Sequence, residues 1–167
     1  IKLIFLFRDP IERAWSHWRM ECARRAETLP FSVAIRQGRW RLRGISPLDS
    51  AWRVYSYVER GFYGSQVRRL LSLFPRDNIL FLRSSALRAD HLGTLRNVAE
   101  FVGISPFPPM PPRLDHQTAG PAGPMRVEDI AYLQGVFRDE VLEFSRLTGL
   151  SVEDWLTLAA GQETLAP

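Results

Sequence analysis

The chain has 167 residues, 46% of them hydrophobic and 24% charged, enough to fill one globular core and to argue for a single domain over 1–167. Its one cysteine, Cys22, excludes an intramolecular disulfide and a cysteine-rich zinc cluster, and no apolar run is long enough to cross a membrane. The formal charge is only +4, and the arginines are scattered among segments patterned as ordinary helices, which argues against a nucleic-acid-binding domain.

Of the 22 basic residues only Lys2 is lysine, a bias that suits planar recognition of phosphate or sulfate and that genome composition would equally produce. The first residue is not methionine and already lies in a predicted strand that needs neighbours on both sides. A fragment is therefore expected, and the location expected for it is cytoplasmic, since the apolar start lacks a basic leader.

The first predicted element is a strand. Ile1, Leu3, Ile4, Phe5, Leu6 and Phe7 form an apolar run broken only by Lys2, the pattern of a strand covered by helices on both faces. Arg8 ends it. Asp9 suits an N-cap, Pro10 the first helical position and Glu12 the return partner of a capping box, so the spacing predicts that strand gives way to helix at residues 8 to 10. Ile11, Trp15, Trp18 and Cys22 recur at spacings of four, three and four and form the buried stripe, with Arg13 and Ser16 off it and His17 at the surface.

This corner is the first candidate site. An arginine at the carboxyl end of a parallel strand, beside a helix N-terminus with free N–H groups, favours an anion, and Ser16 adds a hydroxyl two turns along. The competing reading is equally open at this point: Arg8 pairs with Asp9 or another carboxylate, and Ser16 faces solvent.

Beyond the break at residues 28 to 31, Phe31, Ala34, Ile35 and Trp40 predict a short amphipathic helix, and residues 36 to 50 a mobile loop containing RQGRWRLRG. Its arginines would form either a basic lip over an anionic acceptor or, more simply, a solvated surface anchored by Trp40. Helices are predicted over 51–57 and 62–74, then a turn at 75–78, a strand at 79–82, and a helix at 92–102 closed by Gly103. Residues 104 to 125 are irregular and proline-rich. Helices at 127–147 and 152–158 would cover the sheet.

Arg8, Asp9, Pro10, Arg13 and Ser16 stand in an order that resembles the 3′-phosphate-binding motif of sulfotransferases using 3′-phosphoadenosine 5′-phosphosulfate (PAPS). A second block, residues 57 to 82 (YVERGFYGSQVRRLLSLFPRDNILFL), is similar to the block that follows this motif in heparan-sulfate-type and related bacterial members. The likeness extends through Thr94 to Gly103 and on toward the terminal helix.

The resemblance implies an α/β fold, part of a P-loop-like three-layer arrangement with a parallel sheet covered by helices. It implies an enzyme that moves a sulfuryl group from PAPS to a hydroxyl or amine acceptor. Arg8 and Ser16 would hold the 3′-phosphate, and Tyr63, near Arg60 and Gly61, would line the cofactor cleft or serve as a core aromatic. A later loop would contribute from among Arg113, His116, Gln117 and Thr118.

Two departures stand out. Arg83, Ser84 and Ser85 occupy the place where relatives carry an acidic residue. The glycine-containing loop with a lysine that takes the 5′-phosphosulfate, and the catalytic base, have no counterpart in this chain, so no catalytic residue is assigned and the isolated chain is expected to be inactive. A non-catalytic nucleotide-binding or interaction module is the alternative.

Overall fold

The computed structural model describes residues 1–112, 121 and 123–159. Arg113, His116, Gln117 and Thr118 lie outside the described residues.

Two strands, β1 (Leu3–Phe7) and β2 (Ile79–Arg83), pair in parallel, with Leu3 opposite Ile79 and Phe7 opposite Arg83. Parallel pairing needs a crossover, and here the connection carries α1 (Pro10–Ala23), α2 (Phe31–Arg41), α3 (Ser50–Tyr55), a 3₁₀ turn at Glu59–Gly61 and α4 (Tyr63–Leu73). After β2 come α5 (Ser84–Ala89), α6 (His91–Val102) and α7 (Val127–Thr148). The fold is α/β, as the pattern and the resemblance imply.

Alternation along β1 sends Leu3, Phe5 and Phe7 into the core. Phe7 packs 4.6 Å from the Phe144 ring of α7 and 5.0 Å from Tyr63 of α4, and Trp155 stacks on Phe144 at 5.5 Å. On the opposite face Ile4 is 43% exposed and Leu6 50%. The apolar run predicted cover on both faces; the described helices cover one.

Close backbone approach fixes how α4 meets its neighbours. A Cβ on Gly61 would stand 2.5 Å from the Phe137 ring and 3.1 Å from Pro10 Cβ, and one on Gly64 would stand 2.8 Å from the Glu140 carbonyl oxygen. Glycine here lets the 59–61 turn lie flat between α7 and the head of α1.

Four expectations are corrected. His17, expected at the surface, is buried, and so is Glu21 one turn further along α1. The 36–50 loop shrinks, because α2 continues to Arg41 with Gly38 buried against the Tyr55 carbonyl. Trp40, expected to anchor that loop, is 71% exposed. Residues 152 to 158 form successive turns instead of a helix, since the Thr157 N–H is spent on the Asp9 carboxylate and not on an intrahelical carbonyl.

His17 shows why its burial was not legible in the spacing. Its Nε2 meets the Arg53 carbonyl at 3.0 Å and its ring lies edge-on to Tyr57, both partners more than 30 residues away. Burial, with the nearby positive charges of Arg13 and Arg60, lowers its pKa to about 4, so the ring is neutral and its 3.7 Å approach to Glu21 is no ion pair at neutral pH. In the unfolded chain the same ring takes a proton near pH 6.5. The unfolded state therefore binds more protons between those two values, and stability falls as pH drops from about 6.5 to about 4, by roughly 3 kcal/mol at full extent. Denaturant unfolding of wild type and His17→Gln across that range should show a slope in wild type that the variant flattens.

Candidate functional site

The corner between β1 and α1 is built around Asp9. Its Oδ1 accepts from the Ile11 and Glu12 N–H groups at 2.8 and 3.0 Å, while Oδ2 accepts from Thr157 N and Oγ1, both at 2.9 Å. The Arg13 N–H goes to the Asp9 carbonyl at 2.9 Å. Pro10 has no N–H to offer. The first-turn amides expected to be free for an anion are thus all taken, and any anion here must rest on side chains.

Those side chains come from both strand ends. The in-register pairing places Arg83 beside Phe7 and Arg8 one residue further, so both guanidinium groups stand at the carboxyl edge of the sheet. Between them lies a cavity of about 80 Å³, close to the size of one tetrahedral anion, walled by Arg8, Glu12, Arg83, Ser84, Ser85 and Arg88 and closed by residues 154 to 156.

Arg8 donates from Nε to Glu12 Oε2 at 2.8 Å, with the two side chains 40% and 42% exposed. The carboxylate-paired reading of Arg8 is therefore the one the free chain shows, with Glu12 as the partner in place of a capping box. Arg83 donates from Nη2 to both oxygens of Asp154 and from Nη1 to the Ser151 carbonyl at 2.8 Å. Arg88 is exposed and meets no carboxylate among the described residues.

Ser16 is half-buried, two turns along α1 from Arg8, and is not among the residues walling this cavity. Tyr63 is 5% exposed and packed among Phe7, Phe144 and Trp155. Burial pushes its phenol up to about 12, with the Asp9 carboxylate adding and Arg13 opposing, so it is a neutral group behind the corner. Arg13 itself donates to the Tyr57 carbonyl, and burial lowers its pKa.

The arginine-rich stretch after residue 36 lines a separate open groove of about 630 Å³ with Trp40, Trp52 and Glu59. Acids already meet two of its cations: Arg36 pairs with Asp129 at 2.7 Å and Arg39 with Glu59 at 3.3 Å. Among the described residues no group of three His, Cys, Asp or Glu could hold a metal ion, and no helix is long and apolar enough to cross a membrane.

The contribution of β2 and the C-terminal segment to this cavity was missed from sequence, although one signal was present. IFLFR at 4–8 and ILFLR at 79–83 are two apolar strands that each end on arginine, and parallel pairing brings such ends together.

Comparison with known proteins gives the family and the fold. A family model described as "Sulfotransferase domain" matches residues 1–115. Heparan sulfate glucosamine 3-O-sulfotransferase 3B1 of Mus musculus is 30% identical over 103 residues, covering 62% of this chain and 25% of that protein. Heparan sulfate glucosamine 3-O-sulfotransferase 3A1 of Homo sapiens is 28% identical, covering 62% and 24%. The chain thus spans about a quarter of the length of these curated relatives. A sulfotransferase crystal structure from Alicyclobacillus acidocaldarius superposes with a TM-score of 0.74 at 22% identity, covering 92% of this chain and 57% of that one, which shows the shared fold.

Proposed function

The chain belongs to the sulfotransferase domain family, and from that premise we propose that it binds PAPS, with Arg8 and Ser16 taking the 3′-phosphate and Tyr63 backing the cleft. The donor supplies an activated sulfuryl group, and the acceptor is a hydroxyl or amine. What this chain's residues do is bind and orient: the Arg8 fork fixes one end of the nucleotide and so the direction in which the other end points.

The observation that carries the reading is Arg8 itself. It sits at the carboxyl end of a parallel strand, 40% exposed, facing an anion-sized cavity and held, among the described residues, by the Glu12 carboxylate, itself 42% exposed. Side chains present there offer a phosphate a planar guanidinium, the hydroxyls of Ser84 and Ser85, and Arg88, which meets no carboxylate among the described residues; Glu12 and Asp154 line the same cavity as the competing anions.

The proposal extends to the architecture. We read 1–167 as the carboxyl-terminal part of one domain, supported by the open apolar face of β1 at Ile4 and Leu6, which a two-stranded sheet leaves without cover. Residues that take the 5′-phosphosulfate and the base would lie in the covering part, and sulfuryl transfer is expected of the whole protein.

Calorimetric titration with 3′-phosphoadenosine 5′-phosphate and with adenosine 5′-phosphate tests the assignment. The first ligand should bind at least about tenfold more tightly, as a charge-assisted contact requires. Equal responses would reject a 3′-phosphate site.

A further inference from the structure

In the free chain the Arg8 site is already occupied by a carboxylate of the chain itself. Glu12 lies one helical turn beyond Arg8, and among the described residues its carboxylate has no other hydrogen-bond donor than Arg8 Nε. It is not needed as a cap, because Asp9 fills that role for the first-turn amides. Asp9 cannot compete for Arg8 either, since its two oxygens already accept from four donors. Across the cavity Arg83 is held in the same way by Asp154.

We propose that Glu12 is a resident stand-in for the nucleotide's 3′-phosphate: it holds Arg8 in the free chain, yields it to the incoming phosphate, and thereby sets the affinity of the site. The inference rests on the reading that Arg8 takes that phosphate.

Exchange is physically favourable for the right ligand only. The Arg8–Glu12 pair is half-buried, its side chains 40% and 42% open to solvent, and ion pairs with that much access to water are weak. A phosphate carrying close to two charges, with several oxygens for the guanidinium fork, displaces it. A monoanion such as chloride, offering one charge and no bidentate geometry, does not. Once displaced, Glu12 remains in the first turn of α1 beside the bound phosphate, so its charge still opposes the ligand. Competition for Arg8 and residual repulsion act in the same direction.

Removing the charge should therefore strengthen binding. By calorimetry, Glu12→Gln is expected to bind 3′-phosphoadenosine 5′-phosphate about fivefold more tightly than wild type while leaving adenosine 5′-phosphate unchanged. Glu12→Asp keeps the charge on a side chain one methylene shorter, loosening the hold on Arg8 but not the repulsion, and should fall between the two. A purely structural Glu12, stabilising the helix start, predicts the reverse: a lower melting temperature with unchanged or weaker binding of both ligands. That result would overturn the proposal. Wild type preferring the 3′-phosphorylated ligand while Glu12→Gln shows no gain would reject the stand-in role alone. Failure of wild type and variant alike to distinguish the two ligands would bring down the Arg8 assignment and this inference with it.

Discussion

Asp9→Ala is expected to cost about 3 kcal/mol of folding stability or more, lowering the melting temperature by roughly 6 to 12 °C for a chain of this size. The carboxylate serves two masters, the first turn of α1 beside it and Thr157, 148 residues further along the chain. Losing the cap alone costs about 1 kcal/mol. The rest follows because Thr157 is fully buried, so truncation strands its N–H and its hydroxyl without an acceptor. Asp9→Asn separates the two roles. Its amide oxygen can still cap α1, but the amide nitrogen is then a donor pointed at the Thr157 N–H. The asparagine variant should recover the cap and lose the latch, landing between wild type and alanine in thermal unfolding; a melting temperature equal to wild type would show that the latch contributes nothing.

The second large effect is on binding. Arg8→Ala is expected to lower affinity for 3′-phosphoadenosine 5′-phosphate by about 1.5 to 3 kcal/mol, roughly tenfold to more than a hundredfold, and to leave adenosine 5′-phosphate untouched. Stability should hold, because the partner lost among the described residues is the half-buried Glu12, in a pair that water reaches from both ends. Arg8→Lys keeps the charge but not the fork and should recover part of the affinity. Ser16→Ala separates the two halves of the assignment, because Ser16 stands outside the cavity wall: a loss of about 1 kcal/mol would bring its hydroxyl to the phosphate, and no loss would leave Arg8 to hold it without Ser16. A drop of equal size for both ligands would point to collapse of the corner and not to a lost phosphate contact.

How much of this was legible in the sequence depends on how local each feature is. The strand-to-helix corner was, because Arg8, Asp9 and Pro10 act through their own chemistry within three residues, and Asp9 caps α1 as its side chain dictates. Gly103 closes α6 in the left-handed conformation, at φ 83°, for the same local reason. Glu12 obeyed spacing and not outcome: it stands where a capping box needs it, yet Arg8 one turn earlier is the stronger partner.

Features decided by distant partners were not legible. His17 is buried by Arg53 and Tyr57, and Glu27, another acid of a charged stretch, is buried where Arg41 and the Tyr57 hydroxyl reach it at 2.6 and 3.0 Å. No periodicity in residues 17 to 27 announces such partners. Trp40 failed in the opposite direction, since an aromatic on a helix predicts burial only if another element arrives to cover it. The far wall of the site was hidden for the same reason. Arg83, Ser84 and Ser85 stand where the resemblance places an acidic residue, and only pairing with β1 sets them across from Arg8.

The central claim is that a nucleotide's phosphate seats at the paired carboxyl ends of β1 and β2. Nitrogen-15 shift mapping during a titration with 3′-phosphoadenosine 5′-phosphate addresses it most directly. The largest changes should fall on the Arg8 Nε resonance, the Ile11 to Arg13 amides and the Ser84 and Ser85 amides. Changes centred on the Arg39 to Trp52 groove, with Arg8 silent, would contradict it.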